Sequence, residues 1–291
     1  QKEKMPDLLR RFYITFINGL EDQLQGITKL AISPEGLTGT IPFDALLDGQ
    51  GRYLAERFEM GYIPSASLLY SLRKQPKKKF EKNVLAFGGA TYDLYSTPKV
   101  PLSSLGDLEK LRYRVRQDLE KGLPLDYAFA TFQGKEPMSF LQGGRNEVVL
   151  IQKQVPLTDT RLDAMMTENE LKRMSQANEL GKYRALHLSS HASVHPYVFD
   201  LSAFAMTVKP EPVNGEDGML VVGEVEKLNL PIDFVMLSAC QTALGIEYDR
   251  MFNKSMATPT ALAEVKRNFV AGKYGDQTHP YFWAPFIYTG Y

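Results

Sequence analysis

The sequence has a single cysteine, Cys240, among its 291 residues. One cysteine cannot form a disulfide within the chain, so nothing in the sequence supports an oxidising compartment. A reducing compartment is the ordinary setting for a chain of this kind. We therefore predict a cytoplasmic location.

Long apolar runs are also absent. The least polar stretch, Phe234 to Ile246, is interrupted by polar side chains and is shorter than the about 20 residues that a membrane-spanning helix needs. The first residues, Gln1 to Arg11, are charged and lack the apolar core of a signal peptide. The sequence therefore predicts a protein that has no membrane partner.

Neither sign of charge is in excess. The 34 Lys and Arg residues balance the 34 Asp and Glu residues, so the chain has no surplus of positive charge for binding nucleic acid. We expect no direct nucleic-acid partner. With 44% hydrophobic and 23% charged residues, the composition is typical of a folded globular chain and excludes the disordered, collagen-like and coiled-coil classes.

Several motifs of common enzymes are missing. No strand is followed by Gly-x-Gly-x-x-Gly, and no Gly-Lys pair is followed by Ser or Thr, so the common phosphate-binding loops are absent from the sequence. It also lacks the Gly-x-Ser-x-Gly motif of many serine hydrolases. These absences disfavour nucleotide-dependent enzymes and serine hydrolases, and we expect no cofactor.

The apolar pattern that is present predicts strands alternating with helices. The clearest strand is Val84 to Ala90, a continuous apolar run typical of a strand buried on both faces of a parallel sheet. The predicted helices are 5–24, 65–73, 107–121, 147–155 and 167–180, and the predicted strands are 27–32, 61–64, 84–90, 127–132, 185–190 and 234–239. This order predicts an α/β fold, a three-layer α/β/α sandwich with a mostly parallel sheet.

Three of the four histidines, His187, His191 and His195, are spaced by four residues. On a helix this spacing would place the three side chains on one face, where they could bind zinc. The residues around His187 follow a strand pattern, however, and Pro196 opposes a helix. We interpret His187 as a core histidine and expect no metal site, with a zinc site as the weaker alternative.

The pair formed by His191 and Cys240 is more informative. Each closes a predicted strand, and the carboxyl ends of parallel strands meet at one edge of a sheet. Cys–His catalysis needs such a pair, because the imidazole lowers the pKa of the thiol or moves the proton to the leaving amine. The backbone N–H groups of Ala192 and Cys240 would then be donors to an oxyanion. The alternative is that Cys240 is a small buried residue at a strand end.

Around these residues the sequence resembles a CHAT domain, the caspase-like peptidase domain found with tetratricopeptide (TPR) repeats in bacteria. The motifs that carry the resemblance are Leu186–Ala192 (LHLSSHA), Asp217–Leu220 (DGML), Gly223–Val225 (GEV) and Leu237–Gly245 (LSACQTALG), with further matches at Ile41–Leu46, Tyr62–Ser67 and His279–Phe286. The likeness covers nearly the whole chain.

The resemblance implies a caspase-haemoglobinase-like fold, a catalytic dyad of His191 and Cys240, and cleavage of a specific protein partner. It also implies activation by a fused or associated sensor, such as a TPR-type module, in a bacterial defence or signalling system. A catalytically inactive scaffold with the same fold is the alternative function.

The sequence departs from the family at two places. Ala192 stands where many relatives carry glycine, which keeps the backbone N–H but narrows the freedom of the backbone. After Cys240 the family's next helix and strand are missing, and the only strand candidate left is 282–289. Either residues are missing between 252 and 253, or this chain has lost part of the family's substrate wall. We favour missing residues, because the loss of an internal strand, which pairs on both edges, would leave backbone groups unpaired.

The domain interpretation follows from the resemblance. Residues 1–291 are interpreted as one CHAT peptidase region. Within it, we expect an N-terminal pseudo-caspase-like half (1–125) and a catalytic half (126–291).

Overall fold

The structure is a computed structural model that describes residues 4–74, 78–92, 140–193, 202–207, 216, 218–238 and 248–290. The chain forms two compact units. The first comprises residues 1–77 and 242–291, and the second comprises residues 78–241. The expected division into halves at residue 125 stays a prediction.

The described residues form short helices and strands that alternate along most of the chain. The helices are α1 (Lys4–Phe16), α2 (Leu54–Arg57), α3 (Ala66–Arg73), α4 (Gln142–Gln154), α5 (Glu168–Gln176), α6 (Val222–Val225) and α7 (Thr258–Val270). The strands are β1 (Lys29–Ile32), β2 (Glu59–Tyr62), β3 (Lys82–Gly88), β4 (Thr158–Leu162), β5 (Tyr183–Ser189), β6 (Ala192–Ser193), β7 (Ala203–Ala205), β8 (Met219–Val221) and β9 (Phe234–Ser238).

The first unit is built around two parallel strands. β1 pairs with β2, and Thr289 adds a single parallel bridge to Tyr62. Aliphatic and aromatic side chains from α1, α2, α7 and the last described residues form its core. Its buried members include Leu9, Tyr13, Leu54, Phe58, Val265, Phe269 and Trp283.

A buried ion pair joins the two chain segments of the first unit. Lys266 of α7 donates a hydrogen bond to Asp44 Oδ1 at 2.5 Å, and the Tyr62 hydroxyl donates one to Asp44 Oδ2 at 2.8 Å. Burial and the neighbouring Asp44 carboxylate raise the pKa of Tyr62, so the phenol keeps its proton. Because a buried charge is costly without its partner, this triad holds α7 against the segment before residue 77.

The second unit contains a four-stranded sheet in the order β4-β3-β5-β9. β3 pairs with β4 on one side and with β5 on the other, and β5 pairs with β9 from Ala185–Phe234 to Ser189–Ser238. All three pairings are parallel. The carboxyl ends of the four strands therefore lie at one edge of this sheet.

Helices cover both faces of the four-stranded sheet. Leu85 and Phe87 of β3 belong to a buried cluster with Leu171 of α5. Successive side chains of a strand point to opposite faces, so Gly88 lies on the other face, against Val148 of α4. A mostly parallel sheet between two helical layers confirms the predicted fold class.

Two glycines let α4 lie unusually close to the sheet. A Cβ on Gly88 would lie 2.6 Å from Val148 Cγ2, and a Cβ on Gly144 would lie 2.8 Å from Ser189 Oγ. Real Cβ contacts are longer than either distance. The helix thus packs against the carboxyl ends of β3 and β5 because neither position carries a side chain.

A smaller antiparallel sheet follows β5. Its order is β6-β7-β8, and β6 begins three residues after the last residue of β5. β6 pairs with β7 at Ala192–Phe204 and Ser193–Ala203. This sheet places β6 at its edge, next to the carboxyl end of the parallel sheet.

The predicted strands β3, β5 and β9 and the helices α3 and α4 are confirmed, with shifted ends. The predicted helix 5–24 is too long, because α1 ends at Phe16. Helix α5 begins after Thr167, whose side chain accepts from the Glu170 N–H, but it ends at Gln176 because Asn178 has a positive φ of 56°. The predicted elements 107–121 and 127–132 lie outside the described residues.

The end of the chain differs from the expected strand at 282–289. Pro280–Phe282 form a short helical turn, and in the described part of this region only Thr289 bridges to a strand. Asp249–Asn253 form a π-helical turn across the Phe252–Asn253 junction. The expectation of missing residues at that junction stays a prediction. Within the described ranges, no helix is long and apolar enough to cross a membrane.

The close approach of α4 generates a test. Glycine to alanine in a helix normally stabilises by about 1 kcal/mol. We expect Gly144→Ala to lower the free energy of unfolding by about 1–3 kcal/mol instead, because its Cβ collides with Ser189. Urea unfolding measures the change. Gly19→Ala is the control, because a Cβ there meets nothing within 4 Å. Equal stability of Gly144→Ala and wild type would contradict the close packing.

Candidate active site

His191 lies at the carboxyl edge of the parallel sheet, two residues after the end of β5. The backbone fixes this position from two sides. The Ser190 N–H donates to the Ser238 carbonyl at 3.0 Å, and the His191 carbonyl accepts from the Ala205 N–H at 2.8 Å. His191 therefore connects the parallel sheet to the antiparallel sheet and is partly exposed.

Cys240 lies outside the described residues. The last described residue of its strand is Ser238, which pairs with Ser189 of β5. Cys240 follows Ser238 by two residues, just as His191 follows Ser189 by two residues. The structure thus brings together the two strand ends that precede the predicted dyad, and the contact between His191 and Cys240 stays a prediction.

Ala192 has a backbone N–H that points away from β7. In an antiparallel ladder, hydrogen-bonded pairs alternate with pairs that exchange no hydrogen bonds. The bond from the Ala205 N–H to the His191 carbonyl makes residues 191 and 205 a hydrogen-bonded pair, so Ala192–Phe204 is the other kind. Because β6 is an edge strand, the Ala192 N–H faces the outer side of this sheet.

Tyr92 is a residue of this region that the sequence analysis missed. Its ring centroid lies 5.6 Å from that of His191, and its hydroxyl oxygen lies 2.5 Å from Ser190 Oγ. Burial raises the pKa of Tyr92, and hydrogen bonds with Ser190 and the His191 backbone lower it by less. The sequence carried one signal for Tyr92, its position shortly after Gly88 and Gly89, where a predicted strand ends.

A buried carboxylate of α4 lies close to the carboxyl edge of the parallel sheet. Glu147 of α4 accepts a hydrogen bond from Ser189 Oγ at 2.7 Å, and its Oε2 lies 3.6 Å from His187 Nε2. His187 is fully buried in β5. The interpretation of His187 as a core histidine is therefore confirmed, and the strand places it inside the sheet rather than beside His191 on a helix.

Among the described residues, one group of three side chains has the spacing of metal ligands: Glu168, Glu216 and Glu224. The ammonium group of Lys172 in α5 already lies among these carboxylates. It donates to Glu224 at 2.9 Å and to Glu216. Nearby carboxylates raise the pKa of Lys172 although its burial, the largest single effect, lowers it. These carboxylates therefore pair with a cation that the protein supplies itself. His195, the third histidine of the triplet, lies outside the described residues.

A parallel sheet between helices, with a histidine two residues after a central strand, is consistent with the fold of the caspase-like peptidases. The comparison with protein families agrees with this class. The sequence model of the CHAT domain matches residues 6–251, most of the chain, so the chain belongs to the CHAT domain family. A comparison with curated proteins found no match.

The family match includes both predicted dyad residues and ends one residue before Phe252. CHAT domains are a caspase-like peptidase family. The resemblance read from the motifs around His191 and Cys240 is therefore confirmed at the level of the family.

The buried carboxylate generates a test of how the edge is held. We expect Ser189→Ala to lower the free energy of unfolding by about 1–3 kcal/mol, because it removes the hydroxyl donor to buried Glu147. Chemical denaturation gives this value. The matched control is Ser71→Ala, an exposed helical serine whose hydroxyl bonds to the Ser67 carbonyl. Equal losses of stability in the two variants would contradict this expectation, because the buried hydrogen bond from Ser189 to Glu147 would then contribute no more than the exposed one at Ser71.

Proposed function

We propose that this chain is a cysteine endopeptidase in which His191 and Cys240 form the catalytic dyad. The observation that supports the proposal is the register of β5 and β9, which aligns Ser189 with Ser238. Each dyad residue follows one of these paired serines by the same number of residues. Adjacent parallel strands that end together are a suitable base for two groups that must meet across a cleft.

The proposed reaction begins with proton transfer from the Cys240 thiol to the His191 imidazole. The thiolate attacks the carbonyl carbon of the scissile peptide and forms a tetrahedral oxyanion. The oxyanion collapses to a thioester, and the C–N bond breaks as His191 gives its proton to the leaving amine. Water then attacks the thioester, His191 takes a proton from the water, and the carboxylic acid leaves as the thiol is restored. The cycle needs no metal and no cofactor.

The Ala192 N–H is the proposed donor to this oxyanion, together with the backbone N–H of Cys240. Ala192 supports the proposal by its geometry, because its N–H faces away from β7 at an edge strand. A backbone donor is fixed before the substrate binds, so it stabilises developing charge without reorganisation. It also sits one residue from the proposed base, His191.

Membership of the CHAT family supports the finer parts of the proposal. We propose that the substrate is a specific protein partner and that a fused or associated sensor, such as a TPR-type module, activates cleavage. We place this activity in a cytoplasmic bacterial defence or signalling system. An inactive scaffold that only binds its partner is the alternative, since a family member can keep the fold without the activity.

The dyad can be tested without knowing the substrate, because Cys240 is the only thiol in the chain. We expect iodoacetamide to alkylate wild type at pH 7 about tenfold faster than His191→Ala, since the imidazole lowers the pKa of the thiol. Intact mass spectrometry gives both rates. His279→Ala is the matched control and should react like wild type. Equal rates for wild type and His191→Ala would overturn the proposed dyad.

Cleavage itself distinguishes the peptidase from the scaffold. We expect cells that produce wild type together with its activating sensor to contain new protein N-termini that cells producing Cys240→Ala with the same sensor lack. The thermal midpoint should barely change, because this small truncation costs about 1 kcal/mol. Sequencing of protein N-termini by mass spectrometry makes the comparison. A scaffold would give the same N-termini in both cell populations.

A further inference from the structure

Tyr92 reaches the candidate site from a different strand. β3 ends at Gly88, and Gly89 adopts a positive φ of 72° that turns the chain. The Thr91 N–H then donates to Thr207 Oγ1 at 3.1 Å, and the Thr207 hydroxyl donates to the Asp163 carbonyl at 2.6 Å. The backbone just before Tyr92 is therefore tied to the segments that follow β4 and β7.

Tyr92 makes three contacts with Ser190 and His191, the two residues that follow β5. Its ring packs against the His191 ring at 5.6 Å between centroids, with 51° between the planes. Its hydroxyl shares a 2.5 Å hydrogen bond with Ser190 Oγ and also bonds to the His191 backbone. Ser190 is itself only 1% exposed. One side chain thus touches both the ring and the backbone of His191.

The state of the phenol matters for these contacts. Burial raises the pKa of Tyr92, so its hydroxyl keeps its proton at neutral pH. A protonated phenol can donate one hydrogen bond and accept another, which matches the two partners at residues 190 and 191. Phenylalanine would fill the same space but could make neither bond.

We propose that Tyr92 is a positioning residue for His191. Its hydroxyl fixes the Ser190–His191 backbone, and its ring limits rotation of the imidazole. The inference rests on the proposed function, because it assigns Tyr92 a part in aligning His191 with the Cys240 thiol. Small errors of alignment reduce catalytic rates strongly. Holding the imidazole in one rotamer therefore increases the fraction of molecules in which His191 is aligned with the thiol.

The alternative is that Tyr92 only stabilises the fold. Tyr183 allows the two roles to be separated, because it lies at the opposite end of β5 and donates its hydroxyl to Asp159 at 2.5 Å. Tyr92→Phe and Tyr183→Phe therefore each remove a buried or part-buried tyrosine hydroxyl that is hydrogen-bonded within the second unit, with two bonds lost at Tyr92 and one at Tyr183. Only Tyr92→Phe removes a bond next to His191.

The experiment measures the rate of Cys240 alkylation by iodoacetamide from pH 5 to pH 10. We expect Tyr92→Phe to slow alkylation at pH 7 about three- to tenfold and to move the pH profile toward that of His191→Ala. Tyr183→Phe should keep the wild-type profile. In the His191→Ala background, Tyr92→Phe should have no further effect, because Tyr92 acts through His191.

Ser190→Ala provides a second variant if Tyr92→Phe does not fold. It removes the partner of the Tyr92 hydroxyl and leaves the tyrosine in place, so we expect a similar slowing of alkylation. A wild-type profile for Tyr92→Phe together with slow alkylation of His191→Ala would overturn this inference and leave the proposed dyad standing. A wild-type profile for His191→Ala would overturn both.

Discussion

Parallel pairing of β5 with β9 aligns Ser189 with Ser238, and the candidate site depends on that register. A shift of one residue would exchange the faces of every side chain on β9. It would also separate the strand ends that precede His191 and Cys240. The hydrogen bond from the Ser190 N–H to the Ser238 carbonyl continues the pairing beyond β5, so the alignment reaches the residue before His191.

Packing behind the sheet supports this edge. The missing side chain at Gly144 lets α4 approach Ser189 closely, and from there Glu147 accepts the Ser189 hydroxyl. The carboxyl end of β5 is therefore held through its backbone by β9 and through a side chain by α4. Tyr92 adds a third contact from the end of β3. Together these contacts explain why a loop residue such as His191 can have a defined position.

The sequence predicted the parts of the fold that local patterns determine. The apolar runs in β3, β5 and β9 predicted a parallel sheet, and the motifs around His191 predicted the family. β4 was missed because Thr158–Leu162 is half-buried and carries Asp and Arg, so it lacks an apolar run. Tyr92 was missed because its partner Ser190 is 98 residues away, and no local pattern shows a contact between distant strand ends.

A crystal structure that includes Cys240 tests the central claim most directly. The quantity to measure is the distance from the nearer His191 ring nitrogen to Cys240 Sγ. We expect both side chains at the carboxyl edge of the parallel sheet and a distance of about 5 Å or less. A thiol buried in the core, or one at the opposite edge of the sheet from His191, would contradict this claim.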